Sequence, residues 1–304
     1  MVEVFYIILP LVLLVVLGQI IAKTGQLSAE NWAGLETLSF RVLIPALIIR
    51  SISQSDLSLK SSGLYVLTML VAVTAVGGLT LLLRPTPRVS DPQLSSMFQG
   101  ATRFNALITL PIAAQLFGPI GLTTVTIAMA FMVPYLNVVN IGLLSALHAG
   151  TFRISRVLGS IAKNPIIIAC GVGLALNLAD APLPAAVMQT LEMISRSALA
   201  IGLLCVGAGF DWRRLFHLNW QVLWSVVIKA VLAPLLAMLV GQAFGLDHLQ
   251  TVCAMLVVAT PTATNGYIVA RQMGGDAELY AIILNWQLVV AVVAFPAWIY
   301  LMQG

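Results

Sequence analysis

The fold is decided by the stretch SSMFQGATRFNALITLPIAAQLF, residues 95–117, an apolar segment that polar residues and a proline interrupt. As a helix, a segment of this length covers the roughly 30 Å of a bilayer's hydrocarbon core. Proline removes a backbone hydrogen-bond donor, and an asparagine in hydrocarbon costs several kcal/mol unless it finds partners. Arg103, Asn105 and Pro111 therefore predict a membrane-spanning helix that is broken near its middle.

Similar apolar segments fill the rest of the chain. Of its 304 residues, 60% are hydrophobic and 9% are charged, whereas a soluble domain has roughly 25% charged residues. The sequence therefore predicts an all-helical integral membrane protein without a soluble domain, surrounded by a lipid bilayer. The ten predicted spans are residues 4–22, 35–53, 63–83, 95–117, 119–147, 159–178, 185–209, 219–244, 250–272 and 279–301.

The charged, cysteine and histidine residues exclude several classes of function. Lys and Arg are scattered singly in short loops and form no basic stripe, so no nucleic-acid partner is predicted despite the net charge of +4. The cysteines lie in apolar spans without a CxxC pair, and the histidines have neither metal-site nor triad spacing. We therefore expect no metal site, no cofactor and no enzymatic activity.

The distribution of Lys and Arg between the loops predicts the orientation of the chain. With the amino terminus outside, nine of these residues fall in cytoplasmic loops and two in outside loops. Because the cytoplasmic loops of membrane proteins carry the excess of positive charge, both termini are predicted to lie outside. The nine residues are Lys23, Arg84, Arg88, Arg153, Arg156, Lys163, Arg213, Arg214 and Arg271, and the two are Arg50 and Lys60.

The two halves of the chain resemble each other. Residues 35–41, LETLSFR, resemble residues 191–196, LEMISR, at an offset of 155 to 156. Each repeat would hold five spans, an odd number, so the second repeat (151–304) is predicted to be inverted relative to the first (1–150). Such a repeat predicts a binding site near the bilayer midplane, built from discontinuous helices. Further pairs at offsets of 155 to 157 are Pro10 and Pro165, Gly18 and Gly173, Ala113 and Ala270, Gln115 and Gln272, and Gly118 and Gly275.

The ninth span carries a counterpart of the interruption in the fourth. Its residues 260–266 read TPTATNG, with a proline and an asparagine in the reverse order of Asn105 and Pro111. If both helices are broken and cross, their inner amino termini, each with about half a positive charge, meet where an anion can be held. The alternative is that the prolines only kink the helices and the asparagines only join neighbouring helices.

Further polar residues belong to the same prediction. Asn137 and Asn140 are three residues apart, so they share one face of the fifth span and either line the pathway or join helices. Arg103 and Lys229 are candidate charge partners of the anion, although the Lys229 side chain could instead extend to the cytoplasm. The predicted anion-binding residues are Asn105, Pro111, Asn137, Asn140, Pro261, Thr262 and Asn265.

The Asp and Glu residues are not predicted to belong to the anion site. Glu192 and Arg196 are four residues apart and are predicted to form a structural ion pair, as are Glu36 and Arg41. The apolar middles of the third to fifth and eighth to tenth spans hold no Asp or Glu. The usual carboxylate proton relay of a pump is therefore not predicted.

Several local patterns resemble the auxin efflux carrier family, which includes plant hormone exporters and bacterial dicarboxylate permeases. They are FRVLIPAL at 40–47, KNP at 163–165, KAVLAP at 229–234 and TPTATNG at 260–266. The resemblance implies homodimers, a scaffold of the first, second, sixth and seventh spans, and a moving domain of the third to fifth and eighth to tenth. It also implies that the fourth and ninth spans cross at Pro111 and Pro261, with Asn105, Asn137 and Asn265 around a carboxylate.

One departure from the plant pattern distinguishes this chain from the plant exporters. The plant exporters carry a long hydrophilic loop between the fifth and sixth spans, whereas residues 148–158 form a short connection here. A bacterial inner-membrane carrier of a small mono- or dicarboxylate, moving its site in an elevator fashion, is therefore the expected function. Two alternatives remain: a receptor that binds the anion without moving it, and a sodium-coupled carrier of the bile-acid type. The sodium ion would be held by Thr102, Asn105, Thr262 and Asn265.

Overall fold

The computed structural model describes residues 2–55, 59–148, 159, 162–180 and 183–303. Over these ranges every regular element is a helix, which confirms the predicted all-helical class. Seven helical stretches of the described chain are long and apolar enough to cross a membrane, so the protein is a multi-pass membrane protein. Arg153 and Arg156, which contribute to the predicted orientation, lie outside the described residues.

The helices follow the predicted spans closely along the chain. Short π-helical segments, Ser39–Leu43 and Ile228–Leu232, lie inside the second and eighth predicted spans, and a 3-10 turn, Trp212–Phe216, follows the seventh. The inverted ten-span repeat itself stays a prediction. The helices are α1 Val2–Thr24, α2 Ala29–Leu38, α3 Ile44–Ser53, α4 Leu59–Leu81, α5 Asp91–Thr102, α6 Ala106–Leu147, α7 Pro165–Leu178, α8 Ala185–Ala208, α9 Trp220–Val227, α10 Ala233–Ala243, α11 His248–Ala259, α12 Gly266–Met273 and α13 Ala277–Gln303.

Helix α6 is two antiparallel helices joined at Gly118. A straight helix of its 42 residues would be about 63 Å long, twice the hydrocarbon thickness. Gly118 has φ 60° and ψ −144°, a backbone conformation that favours glycine, and Pro119 follows it. Thr102 Oγ1 lies 3.1 Å from Asn140 Oδ1, so chain segments on opposite sides of Gly118 lie side by side. We call residues 106–117 α6a and residues 119–147 α6b.

The fourth and ninth predicted spans are each broken. The chain leaves α5 at Thr102 and enters α6a at Ala106, so the first break comes several residues before Pro111. Asn105 caps α6a, because its Oδ1 accepts a hydrogen bond from the backbone of Leu107. In the ninth span the break runs from Thr260 to Asn265 and includes Pro261, which places Thr260 in extended conformation.

Two pairs of helices pack with almost no space between their backbones. A Cβ atom at Gly18 of α1 would lie 2.1 Å from the Leu204 carbonyl oxygen of α8. A Cβ atom at Gly173 of α7 would lie 3.3 Å from the Ile49 carbonyl oxygen of α3. Gly18 and Gly173 are one of the residue pairs that relate the two halves of the sequence. Both therefore permit a close helix contact that a larger side chain would prevent.

Candidate functional site

A cavity of about 390 Å³ lies beside the two breaks, and we call it the crossover cavity. Side chains and backbone from both breaks line it, together with residues from α2, α6b and the beginning of α7. Its size is within the range of ordinary small-molecule sites. Its polar lining residues are Glu36, Thr37, Arg41, Arg103, Asn105, Asn137, Asn164, Thr264 and Asn265.

Direct hydrogen bonds join the two breaks. Thr109 Oγ1 of α6a lies 3.0 Å from Thr260 Oγ1 at the end of α11. Gln287 of α13 connects the same elements, because its Oε1 accepts from the Thr262 backbone at 2.8 Å and its Nε2 donates to Gly100 O at 3.0 Å. The interrupted helices thus meet at one depth and are held there by buried polar groups.

Asn105 lines the crossover cavity and carries an amide group with two N–H donors. Its side chain is 3% exposed, and its Oδ1 is occupied by the Leu107 backbone N–H at 3.0 Å. Its Nδ2 is buried and has no hydrogen-bond partner among the described residues. An unpaired buried amide nitrogen costs free energy, which an acceptor in the cavity would remove. The amino terminus of α6a adds its partial positive charge at the same place.

Arg103 adds a full positive charge to this wall. The residue is 5% exposed, and its Nε donates to Gln99 Oε1 at 3.0 Å. Its Nη2 is buried without a partner, and no ion pair of the described chain includes Arg103. Because a buried charge is costly unless it is paired, this guanidinium fits a carboxylate in the cavity.

Asn265 and Glu36 also line the crossover cavity. Asn265 precedes α12 and makes no capping hydrogen bond with its side chain, which leaves the amide available to the cavity. Glu36 of α2 accepts a hydrogen bond from Thr264 Oγ1. No Glu36–Arg41 ion pair is present in the described part of the chain, so this prediction is wrong. Thr264 holds the Glu36 carboxylate instead.

The predicted ion pair on α8 is present. Arg196 Nη2 lies 2.6 Å from Glu192 Oε1, and Arg50 Nη2 approaches Glu192 Oε2 at 3.6 Å. The Arg196 side chain is 80% exposed, so this pair contributes little to stability. It lies away from the crossover cavity.

Four predicted anion-binding residues do not line the crossover cavity. Pro111 is buried inside α6a, and Pro261 lines a separate small apolar cavity. The Thr262 hydroxyl is 3.1 Å from Gln99 O and 2.7 Å from the Tyr280 hydroxyl, so it joins helices. Asn140 also joins helices, because its Nδ2 donates to Leu136 O and its Oδ1 lies beside Thr102. The cavity thus gathers Asn105, Asn137 and Asn265.

Lys229 lies behind the first break and does not line the crossover cavity. The side chain is 1% exposed, and its Nζ donates to Arg103 O at 2.6 Å and to Ala101 O at 3.4 Å. These carbonyls stand where α5 ends, at the negative end of a helix dipole. Lys229 therefore stabilises the break and does not extend to the membrane surface.

Gln99, Gln287 and Thr264 are site residues that the sequence reasoning missed. Their only signal in the sequence is a polar side chain within an apolar segment, as for Gln287 in the tenth span. Such residues more often join helices than bind a ligand. Gln287 and Thr264 bond residues far away in the chain, and the Gln99 carbonyl accepts from Thr262, so these contacts appear only in the folded structure. The Gln99 side chain bonds Arg103, four residues away.

Comparisons with known proteins relate the chain to membrane transport proteins. Residues 149–299, about half of the chain, match the model of the family described as "Membrane transport protein". An "Uncharacterized transporter" of Methanothermobacter thermautotrophicus is 23% identical over 96% of both chains. The "Uncharacterized transporter YfdV" of Escherichia coli is 29% identical over 46% of this chain and 45% of its own.

A third relative carries a more specific name. A Rhizobium meliloti protein named "Putative malonate transporter" is 22% identical over 90% of this chain and 88% of its own. The family match and these relatives confirm the resemblance to the auxin efflux carrier family, and all of them are named as transporters.

Proposed function

Because the chain is related to membrane transport proteins, we propose that it is a secondary transporter of a small organic anion, a mono- or dicarboxylate. The observation that carries the proposal is the buried wall of the crossover cavity. Arg103 and Asn105 each hold an N–H donor there that has no partner in the described chain. A carboxylate would accept from both and would neutralise the buried guanidinium.

The charged residues that line the cavity limit the number of carboxylate groups that the anion can carry. Arg41, Arg103 and Glu36 are the charged lining residues of the described chain, which gives a net charge of one positive unit before the helix termini are counted. One carboxylate balances this charge at Arg103. A second carboxylate would be placed near Arg41, on the more exposed side of the cavity. The relative named for malonate, a dicarboxylate, agrees with this class.

Transport requires the site to become accessible from both sides of the membrane, and we infer an elevator movement. The scaffold would contain α1, α2, α3, α7 and α8. The close backbone contacts of α1 with α8 at Gly18 and of α3 with α7 at Gly173 resist separation. The moving domain would contain both breaks, held together by Gln287 and by Thr109 with Thr260. Gly18 and Gly173 occupy equivalent positions in the two halves of the sequence, which supports the inverted repeat. The division into scaffold and moving domain depends on this repeat.

The arrangement of basic residues supports the proposed orientation in a bacterial inner membrane, in which both termini lie on the side opposite the cytoplasm. Lys23 Nζ, at the end of α1, lies 5.6 Å from the centre of the Trp212 ring, next to Arg213. Arg214 Nε lies 3.5 Å from Glu278 Oε1 at the beginning of α13. Basic residues from separate predicted cytoplasmic loops thus share one end of the helices, as the charge rule requires. The homodimer stays a prediction.

The sodium-coupled alternative receives less support from the structure. Its cage needs oxygens of Thr102, Asn105, Thr262 and Asn265 around one point. The Thr102 hydroxyl instead donates to Phe98 O within α5, and the Thr262 hydroxyl donates to Gln99 O of α5. Neither residue lines the crossover cavity. The ammonium group of Lys229 also bonds the carbonyls at the first break, and two cations near these oxygens would repel each other.

Flux into proteoliposomes tests the proposed function. We expect uptake of radiolabelled malonate or another small carboxylate that is unchanged when potassium replaces sodium. Arg103→Gln should abolish uptake, because a neutral amide replaces the guanidinium that meets the anion. The matched control is Arg88→Gln, an exposed arginine away from the crossover cavity, which should retain uptake.

Three other outcomes would change the conclusion. If the folded wild-type protein binds a carboxylate but does not move it, the protein is a receptor. If uptake requires sodium, the sodium-coupled alternative is right. Normal uptake by a folded Arg103→Gln protein would remove the crossover cavity from the transport path.

A further inference from the structure

A second and larger cavity, of about 660 Å³, lies at the other end of the same helices. We call it the distal cavity. It is lined by the end of α3, by the Gly118 turn and by Gln250 near the beginning of α11. The crossover cavity is lined instead by α2 and by α12, near the opposite ends of these spans. The two cavities therefore face opposite sides of the membrane.

A buried apolar layer separates the two cavities. Along α6a, Leu107 lines the crossover cavity and Ala114 lines the distal cavity. Between them Ile108, Leu110 and Ile112 are all buried in the core. Seven residues of helix span about 10 Å, so the distal cavity is a separate compartment.

The distal cavity carries an excess of positive charge. Its charged lining residues in the described chain are Arg50, Arg196 and Glu192, with a net charge of one positive unit. Glu192 pairs with Arg196 Nη2 at 2.6 Å and stands 3.6 Å from Arg50 Nη2. Arg50 Nε remains buried without a hydrogen-bond partner in the described chain. The cavity thus has room for one further negative charge beside Arg50.

Tyr65 of α4 supplies a second donor. The residue is 1% exposed, lines the distal cavity and has a buried hydroxyl group without a partner among the described residues. A buried tyrosine hydroxyl normally finds an acceptor. Arg50 belongs to α3 and Tyr65 to α4, so an anion between them would touch the proposed scaffold and the proposed moving domain at once.

We propose that the distal cavity is a second binding site for a small carboxylate, with Arg50 and Tyr65 as its donors. The proposal rests on the proposed function, because the anion would be the transported substrate, which docks there on the side opposite the crossover cavity. A single carboxylate balances the excess charge, and the Glu192 carboxylate disfavours ions of higher charge. The volume lies within the range of small-molecule sites.

The number of bound anions tests this proposal. Isothermal titration of the purified full chain with malonate, in micelles of an uncharged detergent, should report two sites per chain. Asn265→Ala should weaken one site, and Tyr65→Phe should weaken the other, each by about ten- to a hundredfold. Arg50→Gln should weaken the same site as Tyr65→Phe.

Tyr65→Phe is the more decisive of the two distal variants. Arg50 also approaches Glu192, so its replacement changes an ion pair as well as a donor. Tyr65→Phe removes only a hydroxyl that is unpaired in the described chain, so the thermal stability without anion should stay equal or rise. The stabilisation by malonate should nevertheless fall.

The outcomes separate this proposal from the proposed function. A single site that Asn265→Ala weakens and that folded Tyr65→Phe and Arg50→Gln proteins retain would overturn the distal site alone. A single site that depends on Tyr65 and not on Asn265 would support the distal site and overturn binding at the crossover cavity. Displacement of malonate from the distal site by added phosphatidylglycerol would assign the cavity to a lipid headgroup and overturn the substrate assignment.

Discussion

At the scale of single residues, the same amide group has different tasks at the two breaks. The Asn105 oxygen caps α6a while its nitrogen is left without a partner among the described residues. The Asn265 side chain caps nothing and borders the cavity. The capping hydrogen bond stabilises the fold, whereas a hydrogen bond donated to the anion contributes to binding. Substitutions that change one without the other can therefore measure each contribution.

We expect the Asn105→Asp protein to fold normally but to bind the anion much more weakly. An aspartate accepts the Leu107 N–H as well as asparagine does, and its charge would pair with the buried Arg103. It offers no N–H donor, however, and it repels a carboxylate. We expect thermal stability equal to or above that of the wild type, and carboxylate binding weakened by more than about a hundredfold in isothermal titration.

Asn105→Ala is the matched control, because it loses the cap as well. It should cost about 0.5–2 kcal/mol of stability. Unchanged affinity in Asn105→Asp would show that Asn105 is a cap only and not a ligand of the anion.

Asn265→Ala should weaken binding without affecting stability. The side chain makes no capping hydrogen bond, so only a hydrogen bond to a charged ligand is lost, worth about 1.5–3 kcal/mol or roughly ten- to a hundredfold in affinity. Titration of small carboxylates into the purified protein measures the change. Asn31→Ala, an exposed asparagine of α2 outside the cavity, is the control. Equal affinities in both variants would return Asn265 to a structural role.

At the scale of helices, the sequence predicted that the fourth span is broken, and the family resemblance implied that it crosses the ninth span at Pro111. The structure breaks this helix at Arg103 to Asn105, because an asparagine cap begins α6a there and Lys229 bonds the carbonyls that end α5. Pro111 removes only one donor within a helix that continues past it. A local pattern shows the proline, whereas Lys229 lies more than a hundred residues away and becomes a partner only through folding.

Gly202→Val should slow transport more than it affects binding. Gly202 of α8 faces α6a, and a Cβ atom there would lie 2.9 Å from Leu107 Cδ2 and 3.7 Å from its Cα. In the proposed mechanism this is a contact between the scaffold and the moving domain, so added bulk opposes sliding, with an overpacking cost of about 1–3 kcal/mol. Malonate flux should fall at least about tenfold, equivalent to roughly 1.4 kcal/mol in the barrier.

The control for this substitution is Gly171→Val on α7, where no neighbouring atom lies within 4 Å of the added Cβ. It should leave both flux and affinity unchanged. If Gly202→Val lowers affinity and flux by the same factor, the contact belongs to the binding site and not to the movement.

At the scale of the whole molecule, composition and apolar length predicted a helical membrane protein, and polar residues within the fourth, fifth and ninth spans predicted Arg103, Asn105, Asn137 and Asn265 of the cavity lining. They did not predict that Glu36 lines the cavity. Glu36 accepts a hydrogen bond from Thr264, which lies 228 positions away in the chain. The sequence predicted instead an ion pair of Glu36 with Arg41, the basic residue nearest to it in the chain. Contacts between the halves depend on how the helices pack, which a local pattern does not contain. The Glu36–Thr264 hydrogen bond also joins the proposed scaffold to the proposed moving domain.

A reversible cross-link between Glu36 and Thr264 should stop transport and retain binding, because an elevator requires these residues to separate. Glu36→Cys with Thr264→Cys, in a chain whose three native cysteines are replaced, would be joined by a short bis-methanethiosulfonate reagent. Malonate flux should fall to background and return after reduction, while titration still detects the anion.

The control pair is Ser55→Cys with Asn177→Cys, whose native residues are hydrogen-bonded inside the proposed scaffold at 2.7 Å. Cross-linking this pair should leave flux unchanged. Full flux through a quantitatively cross-linked 36–264 pair would mean that α2 and the second break move together, and the division into scaffold and moving domain would have to be redrawn.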